Sequence, residues 1–301
     1  VSATDLWFGN LSSWQLVPAP PTIQGDRSGY FEKIGFENGG QAVARSFAHA
    51  REFTLSYPWL EAADTVTADL FNEYRSGEYG VGPFWFADPI AYDTNMFPPH
   101  WASPALYERS WPNIGAAVPT FGATAANSYR QPARKGTWAV TSAANATPLT
   151  DATIPYTVIP IPPTHTLNIG CTGAATGTGV VTVESWANGA AAAGATANLT
   201  LLSETGSTRM NATVAGSSYA FAKVFLTRTS GAVSTVTPIS LMGQLWLTGS
   251  SPTLTGSHVR GKGHTGLEFM DESMVEQYLD ASSGRHYKAL TVQLGEVGGW
   301  L

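Results

Sequence analysis

The chain has 301 residues, 43% of them apolar and 13% charged, about half the usual globular share of charge. Its 34 Thr, 25 Ser, 31 Gly and 19 Pro deplete helix formers and favour strands and turns, which excludes an α-rich protein, while 34 aromatic side chains exclude a disordered one. With a net charge of −6 and no basic stripe, the chain has no electrostatic footprint for nucleic acid, and no run of 18 or more strongly apolar residues predicts a membrane span.

The predicted elements run as follows. Leu6 to Asn10 and Trp14 to Val17 read as short strands, stopped by Pro18, Pro20 and Pro21. Asn38-Gly39 supplies the positive φ angles of a tight turn. Ala42 to Ser46 and Glu52 to Tyr57 follow as strands, the second alternating Phe53, Leu55 and Tyr57 on one face. One helix is expected from about Asp64 to Ser76, with Val66, Leu70, Phe71 and Tyr74 on one face, Asp64 as its cap and Gly77 as its stop. Phe84 to Phe86 reads as a buried strand. The aromatic, Pro-containing stretch from Tyr92 to Trp111 reads as a long ordered loop, a pattern associated with function or a partner surface. Short strands are then expected at Thr157–Ile161, Thr166–Cys171, Gly179–Trp186, Asn198–Leu202, Met210–Val214, Tyr219–Thr227 and Ile239–Leu247, the spacing of an antiparallel sandwich or jelly roll. Leu290, Val292 and Leu294 alternate in a last strand, expected to pair back onto the first part of the chain.

Charge divides the chain. Residues 136–252 hold six charged side chains in 117 positions, and the other 184 positions hold 32. This step predicts a discontinuous hub domain (1–112 and 253–301), a linker (113–135) and an inserted domain (136–252). The fold class expected is all-β with one short helix: a β-sandwich hub plus an inserted antiparallel jelly-roll-like sandwich.

The motifs that spell chemistry each have a plainer reading. Gly261-x-Gly263-x-x-Gly266 matches the dinucleotide fingerprint, but no helix and no parallel α/β pattern follows, so a turn or bulge is expected. Glu184 and Glu204 are two of three acids in the sparse segment. As a pair in one cleft they would suit glycoside hydrolysis, and as single residues they are strand-surface carboxylates. The six histidines (His49, His100, His165, His258, His264 and His286) lack paired metal-ligand spacing and read as surface or capping residues. No Gly-x-Ser-x-Gly elbow is present. Cys171, the only cysteine, reads as a small buried apolar residue. Asn10, Asn145, Asn198 and Asn211 head Asn-x-Ser/Thr triplets at the frequency a Thr-rich chain produces by chance. Trp186, Tyr219 and Trp246, on the predicted central strands, are the candidates for stacking on a sugar ring, with core packing as the alternative. Val1 opens the chain without a basic and apolar leader, a pattern a processed chain would share.

Two groups of residues carry a family resemblance. The first comprises Phe36-Glu37-Asn38-Gly39-Gly40, Val43-Ala44-Arg45-Ser46, Tyr57-Pro58-Trp59, Leu70-Phe71-Asn72-Glu73-Tyr74, Gly82 to Pro89, Tyr92 to Asn95 and Pro98 to Ala102. The second comprises Gly263 to Leu267 and Glu296 to Trp300. Together they resemble minor tail proteins of the distal-tail type from long-tailed actinobacterial phages, over about residues 5–111 and 256–301. The resemblance implies a non-enzymatic structural virion protein at the distal end of the tail. It implies a homohexameric ring joining the tail tube protein to the tail-tip or baseplate hub protein, with the tape measure protein as a further neighbour. It also implies a peripheral galectin-like or carbohydrate-module-like sandwich, for which host-surface glycan is the candidate ligand. No cofactor or metal is implied. A ring subunit needs two different patches that meet head to tail, and such patches favour aromatics. Trp59, Tyr92, Phe97, Trp101 and Trp111 are the candidates for that interface, with packing beneath the hub's own sheet as the alternative.

Overall fold

The structure, a computed structural model, describes residues 5–27, 31–35, 41–45, 51–60, 66–87, 95–102, 120–123, 134–140, 142–152, 154–176, 178–200, 210–231, 234–248, 261, 263–279 and 287–297. In chain order the first elements are β1 (Asp5–Gly9), β2 (Trp14–Pro18), β3 (Thr22–Arg27), β4 (Phe31–Gly35), β5 (Gln41–Arg45), β6 (Arg51–Leu60), α1 (Val66–Ser76), β7 (Trp85–Ala87) and the single turn α2 (Pro99–Ala102). Next come β8 (Thr120–Ala123), β9 (Arg134–Val140), β10 (Tyr156–Pro160), β11 (His165–Thr176), β12 (Gly179–Trp186) and β13 (Ala195–Thr200). The last are β14 (Met210–Ala215), β15 (Phe221–Arg228), β16 (Ser234–Leu247), β17 (Leu267–Leu279) and β18 (Tyr287–Glu296). The fold is all-β and its strand pairings are antiparallel.

The chain forms two compact units. One comprises residues 1–17 and 85–265, the other residues 18–84 and 266–301. The units therefore divide at 17/18, 84/85 and 265/266, whereas the charge step marks 112, 136 and 252. Charge density follows solvent exposure, and the segments around Trp7, Trp14, Trp85 and Phe97 join the core of the central strands through buried aromatic rings that carry no charge.

In the first unit one sheet runs β10-β15-β12-β13, another β14-β11-β16-β9-β8, and a third β2-β1-β7. The β-branched run of β12 suits a central strand. Val181 and Val183 of β12, with Ala222, Val224 and Leu226 of β15, share one core with Leu167, Ile169 and Cys171 of β11 and with Leu241 and Leu245 of β16. Each large aliphatic side chain fully buried there contributes about 1.5–3 kcal/mol. A strand is present at each of the seven central positions expected from the sequence, β13 starting at Ala195 and the expected Leu201 and Leu202 lying outside the described residues. The Ala/Gly/Pro-rich stretch read as a linker carries β8, paired with β9. Ladder pairing is a backbone property and asks little of small side chains.

In the second unit the sheet runs β17-β18-β6-β3, and β4 pairs with β5. β18 pairs with β6, as the alternation of Leu290, Val292 and Leu294 led one to expect. Helix α1 packs Phe71 on Tyr57, with ring centroids 6.3 Å apart. Gly77, at φ +84°, ends it with a paired motif: its N–H donates to the Tyr74 carbonyl at 3.2 Å, and Glu78 N–H donates to the Glu73 carbonyl at 2.9 Å. The helix starts at Val66 and its buried face is Thr67, Ala68, Phe71 and Tyr74. Val66 is exposed and Leu70 half-buried, so the predicted stripe is rotated. Small side chains at 67 and 68 let the helix approach its neighbours closely, and packing outweighs the hydropathy pattern. Asp64, the expected cap, and the Asn38-Gly39 turn lie outside the described residues.

Candidate functional site

Of the aromatics named as sugar-stacking candidates, Trp246 lies on a different sheet from Trp186. On β12, Val181 and Val183 enter the core, so Thr182, Glu184 and Trp186 lie on the opposite face of the sheet, and they too are buried. The antiparallel register sets Trp186 opposite Phe221 and Glu184 opposite Lys223. Phe221 stacks on Trp186 with centroids 6.0 Å apart and planes 9° apart. Phe221 also meets Trp14 at 5.8 Å, and Trp14 stacks on Trp7 at 6.3 Å. Trp186 is thus one end of a run of packed rings, with the Lys223 ammonium 4.1 Å from its ring centroid. Tyr219 is half-buried against Gly194. Trp246 belongs to the other large sheet, opposite Thr166 of β11. Core packing is therefore the role of Trp186.

Glu184 is 3% exposed, and its carboxylate accepts the Trp186 indole N–H at 3.0 Å. Burial pushes its pKa up, offset in part by the Trp186 N–H and by Lys223. Burial pushes Lys223 down, offset in part by Glu184. Lys223 also lies 5.0 Å from the Tyr156 ring centroid. The pair is a desolvated cross-strand couple held among aromatic rings. Its acid is not the strand-surface carboxylate expected. Glu204 lies outside the described residues.

The glycine triplet is structural. Gly261 bridges Asn95, and Gly263 N–H donates to the Phe97 carbonyl at 3.1 Å. A Cβ on Gly261 or Gly263 would strike the backbone carbonyls of Phe97 or Met96. Gly266 adopts φ +146° just before β17, so no helix follows to receive a pyrophosphate. Two histidines read as surface or capping residues are instead buried. His264 accepts the Phe86 backbone N–H at Nε2, 3.4 Å, and lies against the Phe86 ring, while His165 Nδ1 lies 3.1 Å from the Thr164 hydroxyl. Among the described residues, no three His, Cys, Asp or Glu are grouped to hold a metal ion, and no helix is long and apolar enough to cross a membrane.

The interface candidates separate by burial. Phe97 and Trp101 are buried in the first unit's core. Tyr92 and Trp111 lie outside the described residues. Trp59 alone among these five is shown open to solvent, at 70% exposure. Its exposure has a backbone cause. Along β6 the residues Phe53, Leu55 and Tyr57 are buried, and strict alternation would bury Trp59 beside them. The register opposite β18 slips, however: Tyr57 faces Leu290 and Leu60 faces Lys288, three residues against two. One extra residue is therefore held at Pro58-Trp59. This bulge gives the next inward position to Leu60 and turns Trp59 outward. No family model, curated protein or solved structure matches this chain.

Proposed function

We propose that this chain is a structural subunit of a long-tailed phage virion, of the distal-tail type, at the distal end of the tail. In this reading it assembles into a homohexameric ring between the tail tube and the tail tip, with the tape measure protein as a further neighbour. Its chemistry is recognition and assembly, and it runs no reaction. The sequence resemblance supports this reading, and the all-β fold suits a rigid sandwich-built component. The observation that carries it is Trp59. A bulge re-aims a large aromatic side chain from the core to solvent, and Trp is a residue type enriched at protein interfaces.

The glycan reading for Trp186, Tyr219 and Trp246 is not adopted, because Trp186 is packed under Phe221 and Lys223 and Trp246 lies on a different sheet.

Negative-stain microscopy of the purified full chain, paired with its mass in solution, tests the proposal. The expected result is a ring of about six copies with a central channel. A chain that stays monomeric at every concentration reached, and that does not join purified tail tubes, would overturn it.

A further inference from the structure

The second unit also carries a hollow of about 290 Å³, beside the C-terminal turn of α1. Its walls include Tyr74, Phe84 and Phe269, whose rings pack in sequence at centroid distances of 5.7 and 5.1 Å. Arg75 stands among its lining residues and is exposed. The carboxylate of Glu268 lies against Gly82, at the place a Cβ would occupy. Burial pushes the Glu268 pKa up, which marks a carboxylate partly withdrawn from water. The hollow is at or below the small end of ligand clefts and suits one planar side chain better than a cofactor. It combines aromatic walls, a cation at the lining and a hydrogen-bond acceptor, all of which an indole uses.

The sheet places this hollow far from Trp59 of the same copy. Glu268 is opposite Gly295, and Gly295 is opposite Glu52. Trp59 is seven residues further along β6, one of them taken up by the bulge, roughly 20 Å at about 3.3 Å per rung. Knob and hole sit toward opposite ends of one sheet, so Trp59 cannot fill the hollow of its own subunit. Two different patches on one subunit are what a head-to-tail contact requires.

We infer that neighbouring copies of this chain join by Trp59 of one copy entering the hollow of the next, its indole N–H donating to Glu268. This rests on the ring proposal and names its contact. Each subunit gives one knob and receives one, so the contact repeats without a two-fold axis.

Complementation tests the contact in the full-length chain. Trp59→Ser removes the knob, and Ser76→Trp, at an exposed position lining the hollow, blocks the hole. Each variant alone is expected to lose the ring, with self-association weakened about thirtyfold or more. Mixed together they are expected to form a one-to-one dimer, because the first keeps its hole and the second keeps its knob. That dimer also shows that both variants are folded. Met270→Trp serves as a second blocked variant should Ser76→Trp fail to fold. A Trp59→Ser chain that forms rings like the wild type, or folded variants that stay monomeric when mixed, overturns the inference and leaves the ring proposal standing. A wild-type chain that neither self-associates nor joins purified tail tubes overturns both.

Discussion

Glu184 on β12 and Lys223 on β15 face each other in register, and Trp186 joins them, its N–H on the carboxylate and its ring under the ammonium. Burial raises the Glu184 pKa, so the folded chain holds that proton better than the unfolded chain does. The resulting stability is complete below the ordinary value of 4.5 and is lost as pH rises through the raised value. Lys223, lowered by burial, has the opposite sense: its contribution is present above its ordinary value of 10.5 and is lost as pH falls through the lowered one. The ordinary value of Lys223, 10.5, lies far above that of Glu184, 4.5, so Glu184 governs the slope on the acid side. The melting temperature of the wild type, measured relative to Glu184→Gln, is expected to fall as pH rises from the ordinary carboxylate value toward neutrality. Parallel curves for the two proteins would refute the assignment.

Arg51 and Glu296 form a buried two-point ion pair, with Nη2 to Oε1 at 2.8 Å and Nε to Oε2 at 3.0 Å. The Arg51 guanidinium also lies 5.3 Å from the Phe53 ring centroid. Glu296→Ala strands a buried guanidinium and is expected to cost about 3–5 kcal/mol in urea unfolding of the full chain. Glu296→Gln keeps one acceptor and loses less. Equal losses for the two variants would mean that shape, rather than charge, holds this corner.

Asn95 is fully buried and serves three backbone groups. It donates to the Leu241 carbonyl at 2.9 Å and accepts from Gly243 N–H at 2.9 Å and Phe97 N–H at 3.2 Å. Asn95→Ala is expected to cost about 1–3 kcal/mol for each backbone group left without a partner. Asn95→Asp keeps the two acceptor contacts but buries a charged carboxylate with one oxygen against the Leu241 carbonyl, so at neutral pH it is expected to lose at least as much stability as Asn95→Ala. Thermal unfolding of the three proteins gives the order.

Gly261→Ala and Gly263→Ala each place a methyl group against main-chain carbonyls, which cannot swing away as a side chain can. Each is expected to destabilise the chain by about 1–3 kcal/mol. Wild-type melting temperatures for both variants would show that the 95–98 segment gives way without strain.

The sequence was most legible where signals are local. Gly77 stops α1 because only a residue without Cβ takes φ +84° at no steric cost, and that is visible in one letter. The alternation in β18 and the β-branched run of β12 mark strands whose backbone preference acts over a few residues. The candidate site was less legible. Trp186 sits in a β-favouring run whichever face is covered, and its burial depends on Trp14 and Phe221, distant in sequence. The facing of Glu184 and Lys223 is a matter of register, and a slip of one residue would have put them on opposite faces.

By itself the sequence determined the all-β class, the seven central strands and the helix stop at Gly77. Each follows from propensity and period over a short window. Only the tertiary structure decided which aromatics are buried. Phe97 and Trp101 went into a core, while one extra residue at Pro58-Trp59 exchanged Leu60 for Trp59 at the inward position. A bulge is an unequal count between two strands, β6 and β18, that more than 200 residues separate. No window along one strand contains that count, so the exposure of Trp59 is a property of the pairing.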